Sequence, residues 1–271
     1  MDHRPIGVFD SGLGGLTAVK ALRKLMPEED ILYFGDTGRM PYGPRQAEEI
    51  RCMTRQDLDF VAALGVKTLV AACGTVSCNA EDILSAYPLP VIGVLSAGVK
   101  ALAKAGGEGC AAVIATQASI SSGAYERAFR AASPGRELLS VACPDFVPLI
   151  ENGHTKKDDP LLKDAVARAL RPLKEAGVSA LLLGCTHYGI IGRAIAAYLG
   201  PDVELISASD AAALEARDYL IQNQLTGGEG RELYYTSGSV EVFTAAAAAF
   251  LGWDIEGRVR QASVMEVEES C

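Results

Sequence analysis

Short apolar runs, separated by longer amphipathic stretches, recur along the whole 271-residue sequence. They show no strict alternation of apolar and polar residues, which is typical of strands covered on both faces by helices. The runs lie at residues 6–9, 31–34, 68–72, 91–94, 111–115, 138–142, 180–184, 203–206 and 233–235. Between Arg45 and Leu64, the spacing of Ile50, Met53 and Phe60 predicts one apolar face of a helix. The sequence therefore predicts an α/β fold with mainly parallel sheets.

The pattern of runs repeats itself within the chain. Three pairs of strand ends correspond at offsets of 106 to 112 residues: Asp10 with Thr116, Gly35 with Cys143, and Cys73 with Cys185. Such a repeat predicts two similar three-layer α/β lobes. Because ligands of open α/β sheets bind beyond the carboxyl ends of the strands, we expect the active site in the cleft between the lobes.

The repeat also predicts where each lobe begins and ends. We assign residues 1–97 and 208–271 to a discontinuous first lobe, which carries Cys73, and residues 98–207 to a second lobe, which carries Cys185. The segment from 261 to Cys271 is expected to form a polar tail.

Composition narrows the classes of partner. The formal net charge of −9 argues against nucleic acid or an anionic membrane. No apolar stretch reaches the ~20 residues of a membrane span, and no signal segment is recognisable. Seven cysteines, an odd number without a secretory signal, are expected to be reduced thiols in a cytoplasmic protein. A homodimer is compatible with the sequence, which does not set the oligomeric state.

Cys73 and Cys185 stand at equivalent places, each after an apolar run and before a polar turn and a predicted helix. A helix N-terminus stabilises a thiolate through its dipole and free N–H groups, so we expect these thiols to have a pKa below the ~8.5 of free cysteine. His187 lies two residues beyond Cys185, where an imidazole accepts or supplies a thiol proton. Since no C-x-x-C completes a cluster with Cys73 and Cys78, no metal site is expected. The pair predicts two opposed acid–base groups.

The polar loops that follow other predicted strands are compatible with either a structural or a functional role. The loop from Asp10 to Gly15 is neither a Walker loop nor a dinucleotide fingerprint; it is either a plain βα turn or a pocket wall. Asp36 begins the Asp-Thr-Gly tripeptide of aspartic proteases, but that chemistry needs two such carboxylates and only one copy occurs. The turn from Pro41 to Pro44 is either structural or carries a phenol and backbone donors to the pocket. The spacing of Glu151 alone favours simple exposure.

Taken together, these segments resemble the aspartate/glutamate racemase superfamily, and within it the glutamate racemases. The matching segments are IGVFDSGLGGLT (6–17), YFGDTGRMPYG (33–43), AACGT (71–75), SISSGAY (119–125), CPDFVPLIE (143–151), LGCTHY (183–188) and YYTSG (234–238). They follow the family's order and span nearly the whole chain. Both cysteine boxes together with DSGLGG and DTGRMPYG make the resemblance highly specific.

The resemblance implies an isomerase without PLP, metal or other cofactor. It would interconvert L- and D-glutamate and supply D-glutamate for the peptidoglycan of a bacterial cell wall. The implied bases are Cys73 and Cys185, with Asp10 assisting the first, His187 the second, and Glu151 supporting His187. The positions that match substrate contacts are Asp10, Ser11, Tyr42, Gly43, Gly74, Thr75, Thr186 and His187, with Thr116 and Ser119 in a further pocket-lining segment.

Gly74 departs from the family pattern, because Asn usually follows the first cysteine. The resemblance therefore leaves aspartate or another acidic amino acid open as the substrate. A binding protein that keeps the fold without turnover is a second alternative, against which the intact pair of cysteines argues. A third alternative, a nucleophilic hydrolase built on Cys185 and His187, leaves Cys73 unexplained.

Overall fold

A computed structural model describes residues 1–106 and 109–264 of the chain. Its strands are β1 Ile6–Asp10, β2 Ile31–Gly35, β3 Thr68–Ala71, β4 Val91–Gly93, β5 Ala111–Ala115, β6 Leu138–Ala142, β7 Ala180–Leu183, β8 Glu204–Ser207, β9 Glu232–Thr236 and β10 Val259–Gln261. Its helices are α1 Leu16–Leu25, α2 Ala47–Ala63, α3 Gly74–Asn79, α4 Glu81–Ala86, α5 Val94–Lys104, α6 Gln117–Ser121, α7 Ala124–Ala132, α8 Phe146–Glu151, α9 Pro160–Glu175, α10 Gly192–Leu199, α11 Ala208–Gln222 and α12 Val240–Leu251, with a 3-10 helix at Thr186–Ile191.

The strands form two parallel sheets. The first sheet has the order β10-β9-β2-β1-β3-β4 and the second the order β6-β5-β7-β8. In the first, Ile6 of the central strand lies opposite both Ile31 and Thr68. The predicted class, two α/β lobes with mainly parallel sheets, is confirmed, and the nine predicted runs form β1 to β9. The apolar runs are strands because helices cover both faces, so every residue of β1, β2, β3, β5 and β7 is buried.

The internal repeat is visible in the strand order. The segment β2-β1-β3-β4 of the first sheet has the same order as β6-β5-β7-β8 of the second. The helices that follow β4 and β8, α5 and α11, pack against each other, and α11 also packs on α1. One apolar cluster runs from Val8 and Tyr33 of the first sheet to Val113 and Leu182 of the second. The two halves therefore share a continuous core. The domain boundaries drawn above stay a prediction.

Some expectations need correction. β10 was not foreseen, and Gln261, which was assigned to the polar tail, ends that strand. Residues 265–271 of the tail, including Cys271, lie outside the described residues. Cys73, Cys78, Cys110, Cys143 and Cys185 are free thiols, so the expectation of reduced cysteines is confirmed for these five. Among the described helices, none is long and apolar enough to cross a membrane.

Candidate active site

A cavity of about 520 Å³ opens at the carboxyl ends of the strands. Its lining combines segments that follow β1, β2, β3, β5, β6 and β7. The predicted site residues all line it: Asp10, Ser11, Tyr42, Gly43, Cys73, Gly74, Thr75, Thr116, Ser119, Glu151, Cys185, Thr186 and His187. The repeat places these segments together, because equivalent strands of parallel sheets end at equivalent edges. The two cysteines reach the cavity from different sheets.

Cys73 is the N-cap residue of α3 and is 5% exposed. The hydroxyl of Ser11 lies 3.4 Å from its sulfur. Burial raises the pKa of Cys73 to about 12 and the charge of Asp10 acts in the same direction, although hydrogen bonds from Ser11 and the Val76 N–H oppose them. The expected lowering of the pKa by the helix N-terminus is therefore wrong for Cys73. Burial outweighs the helix dipole, and the thiol form is favoured.

Asp10 ends β1 on the Cys73 side of the cavity and is buried. Its carboxyl accepts a hydrogen bond from the Gly12 N–H at 2.9 Å, which shapes the loop after the strand. The hydroxyl of Tyr33 donates to the carbonyl of Gly12 at 2.9 Å and holds the loop from below. Burial raises the pKa of Asp10, whereas the charge of His187 and backbone N–H groups lower it. A carboxyl whose pKa is raised toward neutral pH is better suited to acid–base catalysis than an exposed one.

Cys185 precedes the 3-10 helix and meets a different partner. Its sulfur lies 3.8 Å from Nδ1 of His187, and Nε2 of that ring lies 3.2 Å from Oε1 of Glu151. Burial alone would lower the pKa of His187, but the hydrogen bonds with Cys185 and Glu151 outweigh it and raise the pKa to about 10. The imidazole is therefore protonated at neutral pH and puts positive charge beside the sulfur. Glu151, for which spacing alone favoured exposure, contacts the histidine from the cavity wall.

Hydroxyl groups connect the two halves of the cavity. Thr75 at the start of α3 lies 3.3 Å from the hydroxyl of Thr116, which lies 2.9 Å from that of Ser119. On the far side, the hydroxyl of Thr17 in α1 contacts the carbonyl of Thr186 at 3.2 Å. These contacts join the first and second sheets close to the cysteines and supply neutral hydrogen-bond donors to the cavity.

Tyr42 differs from its predicted role. It lines the cavity together with Gly43, but its hydroxyl is hydrogen-bonded to the buried carboxyls of Asp36 and Asp57. The phenol is therefore engaged inside the lobe, which favours the structural alternative for this turn, and the substrate contact at Tyr42 stays a prediction. Gly43 remains open, since a Cβ added there would meet nothing within 4 Å.

The geometry now permits comparison with known proteins. The model of the Asp/Glu/hydantoin racemase family matches residues 17–216. The chain belongs to this family. The glutamate racemase of Exiguobacterium sibiricum is 38% identical over 260 residues, which cover 94% of this chain and 95% of that protein. The predicted family and the predicted isomerase are thereby confirmed.

Solved structures of family members agree with the fold. The structure of a glutamate racemase isoform from Bacillus anthracis matches with a TM-score of 0.91 at 34% identity, covering 97% of this chain and 99% of that one. The glutamate racemase of Francisella tularensis, solved in complex with D-glutamate, matches with a TM-score of 0.89 at 36% identity and the same coverage.

At Gly74, where the chain departs from the family pattern, the packing leaves no room for a side chain. A Cβ added at Gly74 would lie 2.5 Å from the carbonyl oxygen of Gly184, which accepts a hydrogen bond from Tyr125 at 2.8 Å. No side chain fits at position 74 unless the backbone before Cys185 moves. In this racemase, the segment after the first cysteine therefore packs directly on the segment before the second.

Some residues at the site were missed by the sequence analysis. The ring of Phe250 on α12 packs edge-on against His187, with centroids 5.8 Å apart, and no local signal in an alanine-rich helix points to that contact. Gly14 passes so close that a Cβ there would lie 2.4 Å from Nδ1 of His187. Cys143 is buried and also lines the cavity. The repeat could have found it, because it pairs Cys143 with a strand end.

Within the described residues, no group of His, Cys, Asp and Glu is arranged to hold a metal ion.

Proposed function

We propose that the chain is a glutamate racemase that interconverts L- and D-glutamate by two-base proton transfer between Cys73 and Cys185, without a cofactor. The observation that carries the proposal is that both thiols line one cavity, each from its own sheet. Two sulfurs on opposite sides of a bound amino acid supply a base for one face of the α-carbon and an acid for the other.

The proton balance of the reaction is simple. One cysteine, as the thiolate, takes the α-proton, and the electron pair of the broken C–H bond becomes carbanion character shared with the α-carboxylate. The opposite thiol donates its proton to the other face, and the new C–H bond has inverted configuration. Thiol and thiolate have then exchanged places, until protons re-equilibrate through solvent. The pair therefore titrates as one coupled unit.

The surroundings of the two thiols support an assignment of the starting state. Burial and Asp10 keep Cys73 protonated, with a pKa of about 12. His187 has a pKa of about 10 and lies beside Cys185 as an imidazolium. In the free enzyme, we infer that the protonated thiol lies on the Cys73 side of the cavity and the imidazolium on the Cys185 side.

Neutral donors account for the recognition of an acidic substrate. Among the described residues that line the cavity there is no lysine or arginine. The carboxylates of glutamate would instead accept hydrogen bonds from hydroxyls such as those of Ser11, Thr75 and Thr186, and from N–H groups at the N-terminus of α3. The carboxyl of Asp10 would accept from the substrate ammonium group. Such preorganised donors stabilise the developing anion while the cavity excludes water.

Glutamate is preferred over aspartate as the proposed substrate because the relatives at 38% identity are glutamate racemases. A missing methylene costs roughly 10- to 200-fold in kcat/KM in a fitted pocket, so aspartate should react at least about tenfold more slowly. The supply of D-glutamate for peptidoglycan and a cytoplasmic location belong to the same proposal.

The test follows α-proton exchange and optical inversion in deuterated water, with each enantiomer of glutamate and of aspartate. Inversion of glutamate with uptake of one solvent deuteron is the expected result, read by NMR and chiral chromatography. Failure of both glutamate enantiomers to exchange would overturn the proposal. Faster turnover of aspartate would assign the chain to the alternative substrate.

A further inference from the structure

The rim loop, residues 37–46 between β2 and α2, contains no helix or strand of its own. Met40, Pro41, Tyr42, Gly43 and Pro44 of this loop nevertheless form one wall of the cavity. A wall without backbone ladders depends on side chains for its position. The contacts that hold it are therefore relevant to substrate binding.

The rim loop is anchored on two buried carboxyls, Asp36 at the end of β2 and Asp57 on α2, neither of which lines the cavity. The hydroxyl of Tyr42 contacts both, with 2.9 Å to Oδ2 of Asp57. Arg39 contacts them as well, with Nε 2.6 Å from Asp36 and Nη2 2.7 Å from Asp57. A third guanidinium contact joins Arg39 to Gln56. Two rim-loop side chains thus converge on one carboxyl pair.

The hydrogen-bond pattern requires a proton on one of these carboxyls. Tyr42 has a single hydroxyl proton and contacts two carboxyl groups, so one of them must donate to it. Among the residues that the structure describes, Arg39 is the one positively charged side chain in contact with the pair. Burial and the charge of Asp36 raise the pKa of Asp57 well above its ordinary range. Of the two carboxyls, Asp57 is therefore the one whose surroundings favour the neutral acid, and the hydroxyl of Tyr42 donates to Asp36.

We propose that Asp57 is a positioning residue for the active site, which holds the cavity wall formed by the rim loop through Tyr42 and Arg39. The proposal rests on the function proposed above, since the wall is that of the racemase cavity. The proposal also accounts for the Asp-Thr-Gly motif that begins at Asp36. A second carboxyl, that of Asp57, does lie beside Asp36, but Tyr42 and Arg39 cover both. The carboxyl pair therefore supports the rim loop structurally. Loss of this anchor should weaken substrate binding more than proton transfer, because the cysteines stand on other segments.

The test compares Asp57→Leu, Asp57→Asn and Thr54→Val. Leucine removes every hydrogen bond at similar size, whereas asparagine keeps one donor and one acceptor, as a neutral acid does. Thr54 is the matched control: it lies on α2, is equally buried, and bonds only to the carbonyl of Ile50. We expect D57L to raise KM for glutamate at least about tenfold with a much smaller change in kcat, which is the signature of lost binding. D57N and T54V should remain near the wild-type values.

Limited trypsin digestion gives a readout that needs no racemase activity. Arg39 has a side chain only 16% exposed because the carboxyl pair holds it. In D57L, cleavage after Arg39 should accelerate severalfold, while cleavage after Arg168, whose side chain is 64% exposed on α9, should stay constant. Unchanged cleavage after Arg39 and unchanged KM in D57L would overturn the proposal. Equal damage from D57N and D57L would overturn the proton assignment on which it depends. A wild-type chain without racemase activity would fail the proposed function alone, since the digestion would still report on the anchor.

Discussion

The two cysteine sites occupy equivalent positions in the repeat and differ in their electrostatic surroundings. Cys73 follows β3 and has Asp10 and the hydroxyl of Ser11 as neighbours. Cys185 follows β7 and has His187, which Glu151 contacts from the other side. Burial and a carboxyl raise the pKa of the thiol at the first site, whereas an imidazolium stands beside the sulfur at the second. The shared strand order provides symmetric positions, and the neighbouring residues make the two thiols chemically unequal.

This inequality suits a reaction that needs one acid and one base in every turnover. Two identical thiols in the same environment would both be protonated or compete for one proton. At the first site the thiol has a pKa of about 12, and at the second the imidazolium has a pKa of about 10. Both groups therefore hold their protons at neutral pH. The following predictions test whether both sites are required and whether they differ as described.

The largest effect is expected from replacing either cysteine. Cys73→Ser and Cys185→Ser each remove one of the two proposed proton carriers, and serine is a far weaker acid than a thiol. Racemisation, measured by chiral chromatography, should fall at least about 1,000-fold in both variants. Cys78→Ser, which changes a buried thiol that does not line the cavity, is the control. A single replacement that leaves inversion intact would show that the two-base assignment is wrong.

Gly74, which follows Cys73, and Gly189, which follows the LGCTHY segment, should respond differently to an added methyl group. At Gly74 a Cβ would lie 2.5 Å from the Gly184 carbonyl, whereas at Gly189 it would meet nothing within 4 Å. Gly74→Ala should therefore lower the free energy of unfolding by about 1–3 kcal/mol, the usual cost of overpacking, and reduce kcat/KM with it. Gly189→Ala should stay within about 0.5 kcal/mol of wild type in urea unfolding. Equal stability of the two variants would contradict the close packing at Gly74.

Alkylation rates should separate the protonation states of the two thiols. Their exposures are nearly equal, 5% for Cys73 and 7% for Cys185, so access does not favour either strongly. Because the thiolate is the reactive form and burial raises the pKa of Cys73 to about 12, iodoacetamide near neutral pH should label Cys185 at least about tenfold faster than Cys73. Peptide mass spectrometry gives both rates in one sample. A faster reaction at Cys73 than at Cys185 in the wild type would contradict the raised pKa of Cys73.

Much of the fold could be predicted from the sequence, because uninterrupted apolar runs leave few alternatives to buried parallel strands. Strand β10 was not predicted, because Val259–Gln261 is only three residues long and mostly exposed. The internal repeat also predicted a shared cleft, and the site residues line one cavity in the structure. What local sequence could not give were effects of tertiary packing: the burial that raises the pKa of Cys73, the inward hydrogen bonds of Tyr42, and the arrival of Phe250 against His187 from a helix outside the repeat.

The smallest predicted effect concerns the support of His187. Since hydrogen bonds with Cys185 and Glu151 raise its pKa to about 10, the imidazolium persists up to that pH and kcat/KM should decline above it. Glu151→Gln removes the carboxylate charge, so the alkaline decline should move to lower pH by roughly one unit. Glu175→Gln, on the exposed surface of α9, should leave the profile unchanged.

The raised pKa of His187 also makes the stability of the fold depend on pH. A histidine whose pKa is raised on folding contributes stability that is fully present below about pH 6.5, the value of an unperturbed histidine, and is lost as the pH rises through about 10. Urea midpoints measured across this window should fall less steeply in Glu151→Gln than in the wild type. An identical alkaline decline of both activity and stability in the two proteins would mean that Glu151 does not act on His187, and the Cys185 site would then depend on the thiol–imidazole contact alone.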